Sequence, residues 1–280
     1  MDRRARSATA GTYREFQYTR TGNRTLTASP EAEPASGRER AAQVRTLFSE
    51  IAHRYDLLNH VLSLNIDRRW RRSAVAALNW ERAPAGTYLD ACAGTFDLAL
   101  TLAGRRGFHG RVIGTDFALP MLARGLSKID GRAVAPVCGD TQRLPLRSGS
   151  FAGAMVGFGV RNLSDLAAGF RELHRILEPG GRLVILEFTV PPGRVLRMGY
   201  LVYFNHILPR LGRLVSGHPW AYSYLPRSVR DFPGPDALAE LLREAGFASV
   251  EWRFLSGGIV AIHVAAKGPG EGEADPPPES

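Results

Sequence analysis

Three apolar segments in the middle of the chain each run onto an aspartate, and this repeated ending constrains the fold more than any other feature. Tyr88-Leu89 leads into Asp90, Val112-Ile113-Gly114-Thr115 into Asp116, and the stretch from Ala133 to Gly139 into Asp140. Asp90 opens a turn of small residues, Ala91-Cys92-Ala93-Gly94-Thr95, which passes through Phe96 and Asp97 into a helical pattern. A glycine in such a turn lets the backbone approach a ligand, and the amides at the helix start can meet a carboxylate. Asp116 follows about 20 residues beyond the turn, the spacing at which a parallel-sheet fold sets a carboxylate against ribose hydroxyls. The pattern predicts a doubly wound α/β sheet whose carboxyl edge holds a nucleoside.

A carboxylate is a poor neighbour for a phosphate, and the chain carries no P-loop lysine, so S-adenosylmethionine fits better than a dinucleotide. On this reading Asp90, Gly94 and the loop amides face the amino-acid moiety. Asp116 holds the ribose diol, and Asp140 with Thr141 meets the adenine amino edge. An ordinary strand-to-helix turn is the alternative for Gly94 and Thr95 taken alone.

Alternation of short apolar runs with helical periodicity predicts strands near 86–91, 111–116, 133–138, 152–158 and 182–188. Helices follow Asp97 and lie near 120–127 and 166–177, and Pro179-Gly180-Gly181 predicts a turn ahead of the fifth strand. Residues 44–78 repeat apolar positions at helical spacing and predict a helical cap before the sheet. A helix at 235–245 and a closing strand pair near 248–266 complete a mostly parallel sheet of seven strands with an antiparallel terminal strand, the ending of methyltransferase sheets rather than dehydrogenase ones. The domain is expected over residues 43–267, between a basic, disordered tail (1–42) and an acidic, proline-rich one (268–280).

The formal charge is +9, but of 36 basic residues only Lys128 and Lys267 are lysines. An arginine bias of this kind reflects genome composition more readily than a nucleic-acid surface, so nucleic acid is not an expected partner. Cys92 and Cys138 have no metal-ligand spacing and suggest neither a metal site nor a disulfide framework. No apolar run reaches the roughly 20 residues that span a bilayer. The expectation is a cytoplasmic protein that can sit on the inner face of the membrane. The basis is residues 194–230, where Leu196, Met198, Tyr200, Leu201, Val202, Tyr203, Phe204, Ile207 and Leu208 build an apolar helical insertion after the fifth strand, punctuated by Arg194, Arg197, Arg210 and Arg213. Core packing, a homodimer interface and contact with a lipid surface are all open for it.

Several motifs are similar to those of one family. They are Tyr55-Asp56-Leu57-Leu58-Asn59 with Ser63 and Trp70, Phe158-Gly159-Val160-Arg161-Asn162, Leu177-Glu178-Pro179-Gly180-Gly181 leading to Leu186-Glu187-Phe188, and Tyr222-Ser223-Tyr224-Leu225 with Ser228 and Phe232-Pro233. Over about residues 44–267 the chain resembles the ubiquinone/menaquinone biosynthesis C-methyltransferases. The resemblance implies a class I methyltransferase sheet, S-adenosylmethionine contacts at Thr95, Asp116, Asp140 and Thr141, and a polyprenyl quinol substrate. It also implies a substrate site at Arg161 and Asn162, with Tyr55 closing it. A surface ion pair for Arg161, a helix cap for Asn162 and a local hydrogen-bond pair for Tyr55 and Asp56 are the structural alternatives. Phe96 stands where the family usually has glycine, and Gly157 where many members have serine. The Phe96 ring either folds into the core or narrows the methionine end of the pocket.

The chemistry implied is attack by a ring carbon, activated by an adjacent phenolate, on the sulfonium methyl. Charge is lost on the way to the transition state, so exclusion of water and in-line positioning promote it. Asp56, His60 and His206 are candidate proton acceptors, as is Arg161 through a water. The competing readings are another small aromatic acceptor, an RNA methyltransferase, and a non-catalytic partner protein whose cofactor loop Phe96 has damaged.

Overall fold

A computed structural model describes residues 65–203 and 219–270, together with residues 44–46, 49, 63 and 206. The described elements are α1 (Asp67–Ala77), β1 (Thr87–Ala91), α2 (Asp97–Ala103), β2 (Arg111–Asp116), α3 (Leu119–Ile129), β3 (Val134–Cys138), β4 (Phe151–Gly157), α4 (Leu166–Ile176), β5 (Leu177–Phe188), α5 (Arg194–Val202), α6 (Pro219–Asp231), α7 (Pro235–Glu244), β6 (Ser249–Leu255) and β7 (Val260–Ala266). The strands form one sheet in the order β3-β2-β1-β4-β5-β7-β6, with β7 antiparallel to both its neighbours and every other pairing parallel. The order reverses between β1 and β4. In an open α/β sheet that switch point leaves a crevice at the carboxyl ends of the strands, where ligands bind.

The strands are apolar on both faces because both faces are covered. On β5, Val184 and Leu186 pack with Trp70, Ala74 and Val75 of α1, while Leu183 and Ile185 pack with Phe170 and Leu173 of α4 and Leu238 and Leu242 of α7. The two-residue period of the pleat thus sorts one strand's side chains into two cores.

The seven strands, their antiparallel ending and the intervening helices agree with the sequence expectation to within a few residues, with one informative difference. Pro179-Gly180-Gly181 does not precede the fifth strand but lies inside it. Pairing jumps from Phe151↔Leu177 to Gly153↔Arg182, so the extra residues bulge out with Gly180 at φ 74°. A positive φ costs glycine nothing, which lets the strand resume after the excursion. Of the helical cap only α1 and isolated positions such as Val44 are described; Tyr55, Asp56 and His60 lie outside the described residues.

Candidate functional site

The turn after β1 is compressed from both sides. Cys92 and Gly94 both have positive φ, and a Cβ at Gly159, just past β4, would come within 2.4 Å of the Cys92 Cβ. Glycine is required there because its main chain lies against the Cys92 side chain, not because of φ. The Ala93 amide donates to the Thr115 carbonyl (2.8 Å), tying the turn to the end of β2.

Asp116, the last residue of β2, is buried and braces that turn: Oδ2 accepts from the Gly94 amide (2.9 Å) and Oδ1 from the Ala118 amide (2.8 Å). Burial raises its pKa against the pull of those amides. Asp90 is still more enclosed at 1% exposure, and its Oδ2 accepts from the Ala99 amide in the first turn of α2 (2.8 Å). Burial pushes the Asp90 carboxyl up to about 7. At the end of β3, Asp140 is exposed and its carboxylate accepts from the Gln142 amide (2.9 Å), while Thr141 is buried with its hydroxyl 3.4 Å from Cys92 Sγ. Gln142 Oε1 in turn accepts from Ser164 Oγ (2.9 Å) and the Asp165 amide (2.8 Å), clipping this loop to the start of α4. The sheet therefore brings Asp90, Gly94, Asp116, Asp140 and Thr141 to one edge, as their places at strand ends require.

Thr95 lies on the side of the turn facing α3, where its hydroxyl accepts from Lys128 Nζ (3.1 Å). The same ammonium donates to Asp97 (2.9 Å), which also meets Arg71 of α1 (3.3 Å); Arg71 is paired in turn with Asp67, and Ser63 donates to Asp67 (2.7 Å). This chain of charges, of which only the Asp67–Arg71 pair is at a local i,i+4 spacing, links α1, the turn after β1 and α3.

Phe96 is fully buried at φ 67°. Its ring lies between two glycines: a Cβ added at Gly114 of β2 would sit 2.6 Å from Phe96 Cδ1, and one at Gly125 of α3 would sit 2.5 Å from Cδ2. Of the two outcomes open for this ring, it folds into the core. The observation that suggested a damaged cofactor loop is removed with it.

A second group gathers where β4 and β5 end. Arg161 is buried, which excludes a surface ion pair: Nη1 donates to Glu187 Oε1 (2.7 Å) and to the Phe158 carbonyl, and the guanidinium lies 5.6 Å from the centre of the Phe188 ring. The Phe158 and Phe188 rings are 4.5 Å apart, and Trp70 meets them edge-on at 6.1 and 6.2 Å. Asn162 is no helix cap either. Asp165 caps α4 by accepting from the Ala168 amide (2.9 Å), whereas Asn162 Oδ1 accepts from Tyr224 Oη of α6 (2.9 Å). Glu187 carries the same sequence signal as Asp90, Asp116 and Asp140, an acid near the end of an apolar strand.

Beyond this group runs α5. Val195 is 83% and Met198 67% exposed, Leu196, Leu201 and Val202 are exposed as well, and Tyr200 is the helix's buried residue. The helix is moored by Arg197, whose guanidinium donates to the carbonyls of Pro191 (2.8 Å) and Pro192 (3.1 Å). Arg194, Arg197, Met198, Leu201, Val202 and His206 line an open concavity of about 330 Å³. Core packing is therefore not the role of most of α5. Among the described residues no helix is long and apolar enough to cross a membrane, and no cluster of His, Cys, Asp and Glu is placed to hold a metal ion.

The donor set fits a ligand that is cationic at sulfur and amine and carries a ribose diol, since two buried carboxylates and the amides of a positive-φ turn share one edge of the switch point. Fold and site together define an S-adenosylmethionine-dependent methyltransferase of the Rossmann-like class. Solved structures share that fold: the [4+2]-cyclase SpnF (TM-score 0.60, 18% identity, 82% of this chain and 97% of that one) and the Burkholderia thailandensis 1,6-didemethyltoxoflavin-N1-methyltransferase (TM-score 0.57, 20% identity, 85% and 93%). A sequence model of the ubiE/COQ5 methyltransferase family matches residues 36–267, and the chain belongs to that family. It is 48% identical to the demethylmenaquinone methyltransferase of Thermus thermophilus over 78% of this chain and 98% of the relative, and 42% identical to that of Mycolicibacterium gilvum over 80% and 95%.

Proposed function

We propose that the protein methylates a ring carbon of a reduced polyprenyl quinone precursor, demethylmenaquinol to menaquinol, with S-adenosylmethionine as donor. The observation that carries this reading is Arg161, buried in an ion pair beside the aromatic rings of Phe158, Phe188 and Trp70, next to the carboxylate edge and at the foot of an exposed apolar helix. The names borne by the relatives at 37–48% identity support the choice of a naphthoquinol.

Asp90 and the amides after Cys92 receive the amino-acid end of the cofactor, Asp116 the ribose, and Asp140 with Thr141 the adenine. Thr95 acts from behind the turn by fixing it to Lys128. Bound there, S-adenosylmethionine supplies the methyl cation equivalent. Arg161 and Asn162 orient the acceptor hydroxyl, and oriented N–H donors stabilise the phenolate that activates the neighbouring carbon. The family resemblance assigns Tyr55, which lies outside the described residues, the role of closing the site. Rings packed around the acceptor exclude water, which favours a step in which phenolate and sulfonium charges cancel. The exposed face of α5 takes the polyprenyl tail and rests on a membrane surface, with Arg194 turned towards anionic headgroups. The catalytic domain spans residues 43–267, with 194–230 as its acceptor insertion.

Calorimetric titration with S-adenosylmethionine, followed in the same sample by methyl transfer to reduced demethylmenaquinone, tests the reading. Binding in the micromolar range, about −8 kcal/mol, together with a methylated quinone is the expected result. Binding without methyl transfer to this acceptor would redirect the search to another small aromatic ring.

A further inference from the structure

We propose that Glu187 is a positioning residue for methyl transfer, acting through Arg161; the role rests on the acceptor site proposed above. The four residues before it on β5, Leu183 to Leu186, are fully buried, and Glu187 continues the run at 1% exposure. Removing a carboxylate and a guanidinium from water costs several kcal/mol per ion, and apolar residues of similar volume would hold such a strand equally well. Stability does not account for charge at this point of the sheet.

Geometry does. Glu187 Oε1 accepts from Arg161 Nη1 (2.7 Å) and from the Phe188 amide (3.0 Å), and Oε2 faces the Arg161 amide (3.4 Å). The carboxylate thus grips Arg161 at main chain and side chain together, and is itself fixed by the strand that carries it. The Phe158 carbonyl and the Phe188 face complete the frame. An arginine side chain has rotamer freedom to lose on ordering, and a guanidinium fixed beforehand loses none of it when the transition state forms. The pair is also neutral. An acceptor phenolate therefore meets directed N–H groups rather than a net cation, and keeps more of its nucleophilicity. Tyr200 of α5, with its hydroxyl pKa raised chiefly by burial, lies within the electrostatic reach of both partners.

The test is a double-mutant cycle on the full chain, read as steady-state methyl transfer to reduced demethylmenaquinone, with S-adenosylmethionine affinity measured by calorimetry. Glu187→Gln is expected to lower kcat about 100-fold while the cofactor Kd stays within about twofold. In an Arg161→Lys background, where the planar fork is already lost, the same substitution is expected to cost less than about threefold. Equal losses in both backgrounds would overturn the proposal, because Glu187 would then act independently of Arg161. Glu187→Asp keeps the charge but shortens the reach, and guards against misfolding of the amide variant. It is expected to lose about tenfold in kcat with cofactor affinity unchanged, and wild-type turnover in this variant would also overturn the role. A wild type that binds cofactor but does not methylate this acceptor overturns the acceptor site and Glu187's role together; one that turns over while the variants behave additively overturns Glu187's role alone.

Discussion

Along β1 and β2 the carboxylates of the sheet edge are braced by main-chain amides, whereas along β4 and β5 charge is held by charge. Asp90 and Asp116 accept from Ala99, Gly94 and Ala118, and so take their positions from helix and turn geometry that any sequence with the right glycines would build. Arg161 takes its position from one glutamate, one carbonyl and one aromatic ring, each a side chain or strand end particular to this chain. The first arrangement suits a cofactor common to many enzymes. The second suits one acceptor, and the exposed apolar helix lies on its side of the molecule. On the function proposed, the difference predicts that the two halves of the reaction are separable by mutation.

Arg161→Ala should separate them most sharply. Turnover is expected to fall by about 10³-fold, the loss typical of a removed transition-state donor, while calorimetry gives a cofactor Kd within about twofold of wild type. Glu187 would stay buried without its cation at a cost of about 3–5 kcal/mol, so the assay belongs well below the variant's own Tm. Loss of cofactor binding would show that the halves are not independent.

Phe96→Gly probes whether the cofactor half tolerates repair of its departure from the family. Loss of a buried phenyl costs about 3–5 kcal/mol, and relief of the left-handed backbone returns about 1–2 kcal/mol. Urea denaturation should therefore show a net loss of about 1–4 kcal/mol, with cofactor affinity unchanged. A more stable variant would mean that the ring fills nothing.

The smallest effect concerns pH. Asp90 has a folded pKa of about 7 against 3.8 when exposed. The folded protein without cofactor therefore holds a proton that the unfolded chain has lost, and stability falls as pH rises from about 4 to about 7. A cationic cofactor favours the carboxylate, so its binding expels that proton. S-adenosylmethionine affinity is expected to rise with pH between 6 and 8, by up to about tenfold per unit on the acid side. In Asp90→Asn the profile should be flat. A wild-type profile that is already flat would place the ammonium group elsewhere.

The contrast between the halves also explains what the sequence made legible. Strand ends that finish on Asp90, Asp116 and Asp140 announce themselves, because polar residues interrupt apolar runs and short-range geometry does the rest. The Pro179-Gly180-Gly181 excursion was legible as a turn but not as a bulge within β5, since only pairing with β4 shows that the strand resumes. Arg161 and Asn162 stood out through the family resemblance, yet their partners Glu187 and Tyr224 lie 26 and 62 residues away, beyond any local pattern. In the Asp67–Arg71–Asp97–Lys128 chain only the first pair is local, at i,i+4; the links from Arg71 to Asp97 and from Asp97 to Lys128 cross between helices, where no local pattern shows them.

The seating of Phe96 between Gly114 and Gly125 has a consequence for how this chain can change over time. While the ring is present, neither glycine can gain a side chain without a collision, and while both glycines are present, loss of the ring leaves a hole. The three positions are therefore coupled: a side chain at either glycine requires the phenyl to move, and at Gly125 it would also press on the Thr95 backbone, 3.0 Å away. Engineering at any one of the three positions therefore has to treat the other two with it, as one packing unit that spans the turn, β2 and α3.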